Sequence, residues 1–501
     1  MKLTLGIILF FLSLIIFTNG YSNTKVTQAG QAKPQRKIEL TPCGPPNNSQ
    51  SALCGQYDVF ENRAAKVGRK ITLNLVVVPA SSAQPLPDPV FFLAGGPGQG
   101  AAALGRATSG GVRQALGRER DLVFVDQRGT GDSHRLHCDL YGDDAEVQNY
   151  FNELFPVDKV RACRKELEKT ADLKLYTTPA AMDDLDEVRG ALGYDQINLQ
   201  GGSYGTLAAM QYLRQHPEHV RSVVLTGVAT PAMKQPLHFA KGAQSAMDKL
   251  IADCAADATC HAAFPDLKAE FATVLAKLNQ GPVTMKLTHP AGKAQQTVAM
   301  ARDVFTERLR LMLYDLNQAS LVPFLIHRAA QGDWVSFGTV ALERTRNAAN
   351  GLAMGMYFTV TCSESVAPIT EADIKRETSQ TFVGEERTRI HRSACQEWPR
   401  GNIPAGYYQP IKSNVPVLML SGELDAATPL EFGKAVAQFL PNSRQVIIRN
   451  AAHGYGSPCL GNLIMDFISK GSAKELDTSC VEGLRRPAFA TELPARFKGE
   501  K

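Results

Sequence analysis

The sequence predicts an α/β fold in which a mostly parallel sheet, flanked by helices, is interrupted by an inserted and mainly helical cap. Three observations carry this prediction. Short runs of β-branched and aromatic residues alternate with helical patterns up to about residue 230 and again after about residue 405. Between these parts the alternation gives way to helical stretches rich in Ala, Leu, Lys and Arg. At 501 residues the chain is also longer than one compact core usually reaches, which favours an added domain.

The expected strands are short, end at turn residues, and lie at 71–78, 90–93, 122–125, 197–199, 222–225, 415–420 and 445–448. Helices are expected at 178–192, 206–216, 246–255, 266–278, 302–313 and 429–439. The first of these begins at a capping residue, Thr178, followed by Pro179. It carries an acidic cluster that we interpret as solvated carboxylates near a helix N-terminus rather than as a metal site, namely Asp183, Asp184, Asp186 and Glu187.

The patterns divide the chain into five predicted parts. They are a signal peptide over 1–20, a flexible leader over 21–40, a first core part over 41–230, a helical cap over 231–405, and a second core part with a C-terminal extension over 406–501. The first part has a basic residue, Lys2, then an apolar run and small residues at a cleavage point. An uncleaved membrane anchor is the alternative, because the run is almost long enough to span a bilayer. We expect an exported protein, periplasmic or extracellular, without stable membrane insertion after cleavage.

The cysteines and the charge limit the possible partners. The ten cysteines follow the predicted signal peptide, and their grouping predicts five local disulfides between sequence neighbours, although the sequence alone leaves the connectivity open. A zinc site is the alternative, but no C-x-x-C pair or H-x-x-x-H pattern supports it, so no metal is expected. The net charge of +5 is spread along the chain without a basic stripe, which argues against nucleic acid as a partner.

The sharpest motif is the G-x-S-x-G sequence at 201–205, which lies between a predicted strand and a predicted helix. In α/β-hydrolases such a strained turn projects the serine hydroxyl clear of the sheet, and the flanking glycines avoid clashes with the neighbouring strand and helix. Ser203 is therefore the predicted nucleophile. An ordinary turn between a strand and a helix is the alternative.

A serine hydroxyl needs a base to accept its proton and an acid to orient that base, and in this architecture the acid and then the histidine follow the serine along the chain. Asp425 and Glu423 both follow the expected strand 415–420, and His453 follows the expected strand 445–448. Both positions lie at the sheet edge where ligands bind in such folds. We expect His453 to be the base and Asp425 the acid, since Asp425 lies deeper in its loop than Glu423.

The Gly-rich run at 95–100 ends a strand ahead of the nucleophile, where this fold supplies one N–H group of the oxyanion hole. We expect the N–H groups of Gly96 and Tyr204 to form the hole, with Gly95 as the alternative to Gly96. Phosphate binding is a competing interpretation of the run. It lacks the P-loop sequence and the full dinucleotide fingerprint, so no cofactor is expected.

Four motifs in order carry a resemblance to a known family: GGPG at 95–98, DQRGTG at 126–131, GGSYGT at 201–206 and GELDAATP at 422–429. Together they resemble the proline iminopeptidase and tripeptidyl aminopeptidase family of α/β-hydrolase serine exopeptidases, and most closely its secreted, cysteine-bearing tripeptidyl aminopeptidase branch. One departure is Ala94, which stands where the family usually has a histidine.

The resemblance implies release of one to three residues from the free N-terminus of small peptides, with an acyl-enzyme on Ser203 and a cap that limits access. It also implies pocket carboxylates that bind the substrate ammonium, for which the candidates are Glu364, Glu385 and Glu386. Glu364 is favoured, because a bridge from Cys362 to Cys395 would hold it rigid. A secreted carboxylesterase with the same triad is the alternative function, and a catalytically inactive binding protein is a third.

Overall fold

The computed structural model describes residues 37–43, 52–107, 116–290, 292, 294–454 and 456–497, without the side chains of 348–350. The predicted signal peptide and all but the end of the predicted leader lie outside this part of the chain. Within it, no helix combines the length and the apolar character that crossing a membrane requires.

A nine-stranded sheet forms the centre of the described structure, in the order β1-β2-β3-β5-β4-β6-β7-β10-β11. The strands from β5 to β11 are parallel neighbours, whereas β1, β2 and β3 join them in antiparallel fashion. The bounds are β1 Thr41–Pro42, β2 Leu53–Phe60, β3 Lys70–Val78, β4 Val90–Leu93, β5 Leu122–Val125, β6 Ile197–Gly202, β7 Val220–Thr226, β10 Val417–Gly422 and β11 Ser443–Ile448. All seven predicted strands are confirmed.

The central strands are covered by helices on both faces, and their sequences reflect this. All six residues of β10 are buried, as are all four of β5, which explains their continuous apolar runs. In the described part of the chain, the α-helices outside the region 231–405 include Ala102–Ala107, Val157–Leu167, Thr178–Ala191, Tyr204–Gln215, Leu430–Ala437 and Pro458–Lys470. The predicted fold class is thus confirmed.

The region 231–405 is mainly helical. Its helices are Phe239–Ala256, Ala258–Ala263, Leu267–Asn279, Arg302–Met312, Leu316–Ala319, Val322–Ala330, Val335–Gly351, Met354–Thr361, Glu371–Thr378 and Glu386–Gln396. A π-helical turn, Cys362–Val366, continues one of them. The domain boundaries given above stay predictions.

This region also contains an antiparallel hairpin that was not predicted, made of β8 Val283–Thr288 and β9 Gln295–Met300. The residues of β8 alternate strictly between buried and exposed. That alternation is visible in its sequence, VTMKLT, and is the ordinary signal of a strand with one buried face. The helical stretches on either side obscured it.

The five disulfides join sequence neighbours, as predicted, and leave none of the ten cysteines free: Cys43–Cys54, Cys138–Cys163, Cys254–Cys260, Cys362–Cys395 and Cys459–Cys480. Each disulfide therefore cross-links a local stretch of the chain rather than parts that are distant in sequence.

The acidic cluster of the helix Thr178–Ala191 differs from the prediction. Asp184 is 1% exposed and accepts hydrogen bonds from Arg128, at 2.6 and 2.8 Å, and from Arg63 at 2.6 Å. The interpretation of Asp184 as a solvated carboxylate is therefore wrong. The guanidinium group of Arg128, in the motif at 126–131, is fully buried and needs a buried counter-charge, which Asp184 provides.

Candidate active site

Ser203 occupies a strained turn between β6 and the helix Tyr204–Gln215. Its backbone has φ +56° and ψ −124°, a combination that non-glycine residues rarely adopt. A Cβ atom on Gly201 would lie 2.2 Å from the carbonyl oxygen of Gly205, and one on Gly205 would lie 2.1 Å from that of Leu93. Only glycine fits at these two positions, so the motif is needed for the turn itself.

A continuous hydrogen-bond chain links the three residues predicted to act together. The Oγ atom of Ser203 lies 2.9 Å from Nε2 of His453, and Nδ1 of His453 lies 3.0 Å from each carboxylate oxygen of Asp425. Asp425 follows β10 and His453 follows β11. Because β6, β7, β10 and β11 are parallel neighbours, their carboxyl ends meet at one edge of the sheet and bring the three side chains together.

The loop around Asp425 keeps this carboxylate ionised. Burial alone would raise its pKa, but His453 and hydrogen bonds from Thr428 outweigh burial and lower it below its usual value. The N–H groups of Ala427 and Thr428 donate to Oδ1 at 2.8 Å, and the Thr428 hydroxyl donates to Oδ2 at 2.7 Å. An ionised Asp425 favours the tautomer of His453 with its proton on Nδ1, which leaves Nε2 free to accept the proton of Ser203.

Glu423, the alternative acid for this role, lies elsewhere. Its carboxylate is 35% exposed and lies 3.8 Å from Nζ of Lys249. Of the two acids in this loop, the structure brings Asp425 and not Glu423 to the histidine.

The predicted oxyanion-hole residues flank the serine. Gly95 is so close that a Cβ atom on it would lie 3.3 Å from Cβ of Ser203. Gly96 has φ +113°, in the region that favours glycine. Among the described residues, neither the N–H of Gly96 nor that of Tyr204 has a hydrogen-bond acceptor. Both are therefore available to an oxyanion.

Ser203 and His453 lie on the floor of a cavity of about 780 Å³ between the sheet edge and the inserted region. The side chains that the region 231–405 contributes to the cavity include Phe239, Glu307, Arg308, Arg310, Tyr314, Tyr357 and Arg387. Tyr314 also packs against the floor, because its ring lies 5.0 Å from that of His453.

The structure does not bring Glu364 into this cavity. Glu364 is 1% exposed, and its carboxyl oxygens accept from the N–H and hydroxyl of Thr178, at 2.6 and 2.7 Å, and from the hydroxyl of Tyr407. Burial raises its pKa to about 7, although these hydrogen bonds act in the opposite direction. The Thr178 hydroxyl also lies 2.7 Å from that of Tyr204, so Glu364 lies behind the turn that holds Ser203.

Glu385 and Glu386 are not among the cavity-lining residues either. Glu385 forms a half-exposed ion pair with Arg389 at 2.9 Å, and Glu386 is exposed. The predicted role of these glutamates as ammonium anchors therefore has no support from their positions. The one carboxylate that lines the cavity, among the described residues, belongs to Glu307.

Glu307 was not among the residues predicted from the sequence, and it is already paired. Arg310 lies 2.6 Å from one of its oxygens, and Nε of Arg387 lies 3.4 Å away. Burial alone would raise its pKa, but Arg310, Arg387 and Arg308 lower it. The only sequence signal was an unusual density of charge within an otherwise apolar helix face in Arg302–Met312, which is too weak to assign a site.

Comparison with known proteins places this geometry in a family. The α/β-hydrolase fold family matches residues 88–454. Serine protease Hip1 of Mycobacterium tuberculosis is 30% identical over 266 residues, which cover 46% of this chain and 48% of that protein, so the match spans about half of that relative. A tripeptidyl aminopeptidase of Streptomyces coelicolor is 25% identical over 438 residues, 78% of this chain and 76% of that protein.

Among solved structures, the proline iminopeptidase of Mycobacterium smegmatis is similar with a TM-score of 0.41 and 15% identity, and the similarity covers 83% of this chain and 98% of that one. The resemblance stated from the four motifs is confirmed by the peptidase names of these relatives. The family match extends over more than half of the sequence, from just before β4 to the residue after His453. This chain belongs to the α/β-hydrolase fold family.

Proposed function

We propose that this protein is a serine peptidase that releases one to three residues from the free N-terminus of short peptides. The observation that carries the proposal is the hydrogen-bond chain from Ser203 through His453 to Asp425 on the floor of the cavity. The tripeptidyl aminopeptidase and serine protease among the relatives support peptides rather than other acyl donors.

In the proposed reaction Ser203 Oγ attacks the scissile carbonyl carbon while Nε2 of His453 takes its proton. The carbonyl oxygen becomes an oxyanion that accepts hydrogen bonds from the N–H groups of Gly96 and Tyr204, each worth about 3 kcal/mol in the transition state. His453 then returns the proton to the leaving amine, which departs with the C-terminal part of the peptide. Water, activated by the same histidine, hydrolyses the acyl-enzyme and restores Ser203.

The cavity supports a restriction to short peptides. Its volume, about 780 Å³, falls within the range of sites that enclose small ligands. Residues of the region 231–405 also line the cavity, which is consistent with a limit on substrate size.

The test compares peptide arylamides with free and acetylated N-termini, with Ser203→Ala as the background control. We expect wild-type protein to cleave the free form at least tenfold faster. Equal rates for the two forms would contradict the aminopeptidase proposal. Cleavage of small esters without any cleavage of peptides would instead assign the carboxylesterase alternative.

Export is a second part of this proposal. Five disulfides support it, because such bonds form and persist in oxidising compartments. Mass spectrometry of the N-terminus, on protein recovered outside the cytoplasm, is expected to find a chain that begins near residue 21. An intact N-terminus on membrane-bound protein would favour the uncleaved anchor.

A further inference from the structure

One wall of the cavity is built from buried charged side chains of the helices Arg302–Met312 and Glu386–Gln396. We call Arg308, Arg310 and Arg387 the arginine wall; they surround Glu307. All four side chains line the cavity and are almost wholly buried, with exposed fractions between 2% and 7%.

The charges of this wall do not balance. Three guanidinium groups surround one carboxylate, and arginine stays protonated in proteins. The carboxylate of Glu307 is already paired, because Arg310 donates hydrogen bonds to both of its oxygens, at 2.6 and 2.8 Å. The wall therefore presents excess positive charge to its own side of the cavity, where it disfavours an ammonium group and favours an anion.

Part of the wall also lacks hydrogen-bond acceptors. Within the described residues, Nε and Nη1 of Arg387 and Nε of Arg308 are buried without an acceptor. Buried donors are nearly always paired, so these guanidinium N–H groups leave the wall short of acceptors. Arg387 makes one other hydrogen bond, from Nη2 to the hydroxyl of Tyr357 at 3.0 Å.

Aromatic rings hold these guanidinium groups in place before any ligand arrives. Arg387 lies over the ring of Phe155 at 4.9 Å, and Arg310 lies over the ring of Phe239 at 4.4 Å. Stacking of this kind fixes the plane of the guanidinium group, and less conformational freedom is then lost when an anion binds.

Other carboxylates approach the wall from the far side but do not neutralise it. Asp303 and Glu386 line a small neighbouring pocket with Arg308 and Arg387, and Glu153 lies near both acids. None of the three acids forms an ion pair with the arginine wall in the described part of the chain. Glu153 and Glu386 are exposed, so solvent and salt screen their charges.

We infer that the arginine wall binds a carboxylate of the substrate, so that the enzyme prefers short peptides that bring an acidic group into the cavity. The inference rests on the proposed peptidase function and names its substrate class. The carboxylate is either the free C-terminus of a short peptide or the side chain of Asp or Glu. Arg387 is the main specificity-determining residue, because its Nη1 has no acceptor and its Nε has only the 3.4 Å contact with Glu307.

The first experiment needs only wild-type protein and no turnover. A fluorophosphonate labels Ser203, and unlabelled peptides that enter the cavity slow the labelling. Two matched pairs serve as probes: a short peptide with a free or an amidated C-terminus, and amidated peptides with Asp or Asn at one position. We expect the acid of at least one pair to protect Ser203 at about 10- to 100-fold lower concentration than its neutral partner. The pair that differs identifies the source of the carboxylate.

The second experiment assigns the effect to the wall. Arg387→Gln is expected to raise KM for the acidic peptide by about 10- to 100-fold more than it raises KM for the neutral partner. Arg387→Lys restores part of the preference. The matched control, Arg389→Gln, lies on the same helix in an exposed pair with Glu385 and is expected to keep the wild-type preference. Labelling of Ser203 at the wild-type rate shows that a variant is folded.

The outcomes separate this inference from the proposed function. Equal protection by acids and amides in wild-type protein overturns the carboxylate site, even where peptides with free N-termini are cleaved. Conversely, acid-specific protection in a protein that cleaves no peptide supports the site and overturns the peptidase. A preference that survives unchanged in Arg387→Gln overturns the assignment to the arginine wall.

Discussion

The floor of the cavity, formed by Ser203, His453 and Asp425, differs from the arginine wall in how it buries charge. On the floor, one ionised carboxylate faces one imidazole and receives three further hydrogen bonds from its own loop. Every acceptor there has a donor from the protein. On the wall, three cations face one anion, and several N–H groups have no acceptor among the described residues.

This difference assigns separate roles to the two regions in the proposed function: the floor carries out the reaction, and the wall selects the substrate. The floor is complete without a ligand, and in the proposed reaction its groups act on the scissile carbonyl, which every peptide or ester has. The unpaired donors and the excess positive charge of the wall are balanced only when an anion occupies the cavity. Changes on the floor should therefore slow all substrates alike, whereas changes on the wall should discriminate between substrates.

The largest expected effect comes from removing the proposed nucleophile. Ser203→Ala should lower kcat by about 10⁵- to 10⁶-fold for acidic and neutral peptides equally, because no acyl-enzyme can form. Steady-state kinetics with both peptides measure this, and Ser469→Ala, at an exposed serine, is the control. Residual cleavage that differs between the two peptides would show that the floor also selects.

The second-largest expected effect tests Asp425 as the acid that orients His453. Asp425→Asn should lower kcat by about 10⁴-fold, because an amide no longer stabilises the imidazolium or the required tautomer of His453. Glu423→Gln changes the neighbouring acid, which does not contact the histidine, and should leave kcat unchanged. If both variants lost activity to the same degree, the assignment of Asp425 would be wrong.

The residues of the floor could be predicted from the sequence because each of them is marked by a pattern in its own short stretch of chain. Ser203 stands in a motif that its own turn requires, and Asp425 and His453 follow strands whose apolar runs are easily recognised. The order of parallel strands then brings their carboxyl ends together. No distant contact has to be known.

The wall could not be predicted because it depends on contacts between helices far apart in the chain. Glu307 and Arg310 form an i,i+3 pair within one helix, a spacing that the sequence does show. Arg387 reaches Glu307 only through the packing of a second helix, and no pattern in the sequence predicts that contact. The resemblance pointed to Glu364 instead. The structure shows that its carboxyl group is occupied by Thr178 and Tyr407, a contact equally invisible in the sequence.

A third prediction concerns the stability of the wall. Glu307→Gln keeps the shape of the side chain but leaves the buried arginines without their counter-charge, so we expect a loss of about 3–5 kcal/mol in the free energy of unfolding in urea. Glu385→Gln breaks the exposed pair with Arg389 and should cause no measurable change. A peptide acid should partly restore the Glu307 variant, because a ligand that binds only the folded state stabilises it. Equal stability of the two variants would mean that the wall does not depend on Glu307.

The smallest expected effect concerns Glu364, which lies where the inserted region meets the back of the floor. Its pKa of about 7 in the folded state exceeds the ordinary value of 4.5, so between these values the folded protein binds more protons than the unfolded chain. The stability from its protonated form is complete below pH 4.5 and is lost as the pH rises through 7. Glu364→Gln mimics the neutral acid and should remove this dependence.

Urea unfolding of wild-type protein and Glu364→Gln at intervals from pH 4.5 to 8 measures the effect. The difference in unfolding free energy between them should shift by about 3 kcal/mol across the window, with the variant gaining relative to wild type as the pH rises. Glu385→Gln provides the opposite case, since Arg389 lowers the pKa of Glu385 and its contribution changes only below pH 4.5. A constant difference between wild type and Glu364→Gln would mean that Glu364 is ionised throughout. The hydrogen bonds from Thr178 and Tyr407 would then outweigh burial, as those around Asp425 do on the floor.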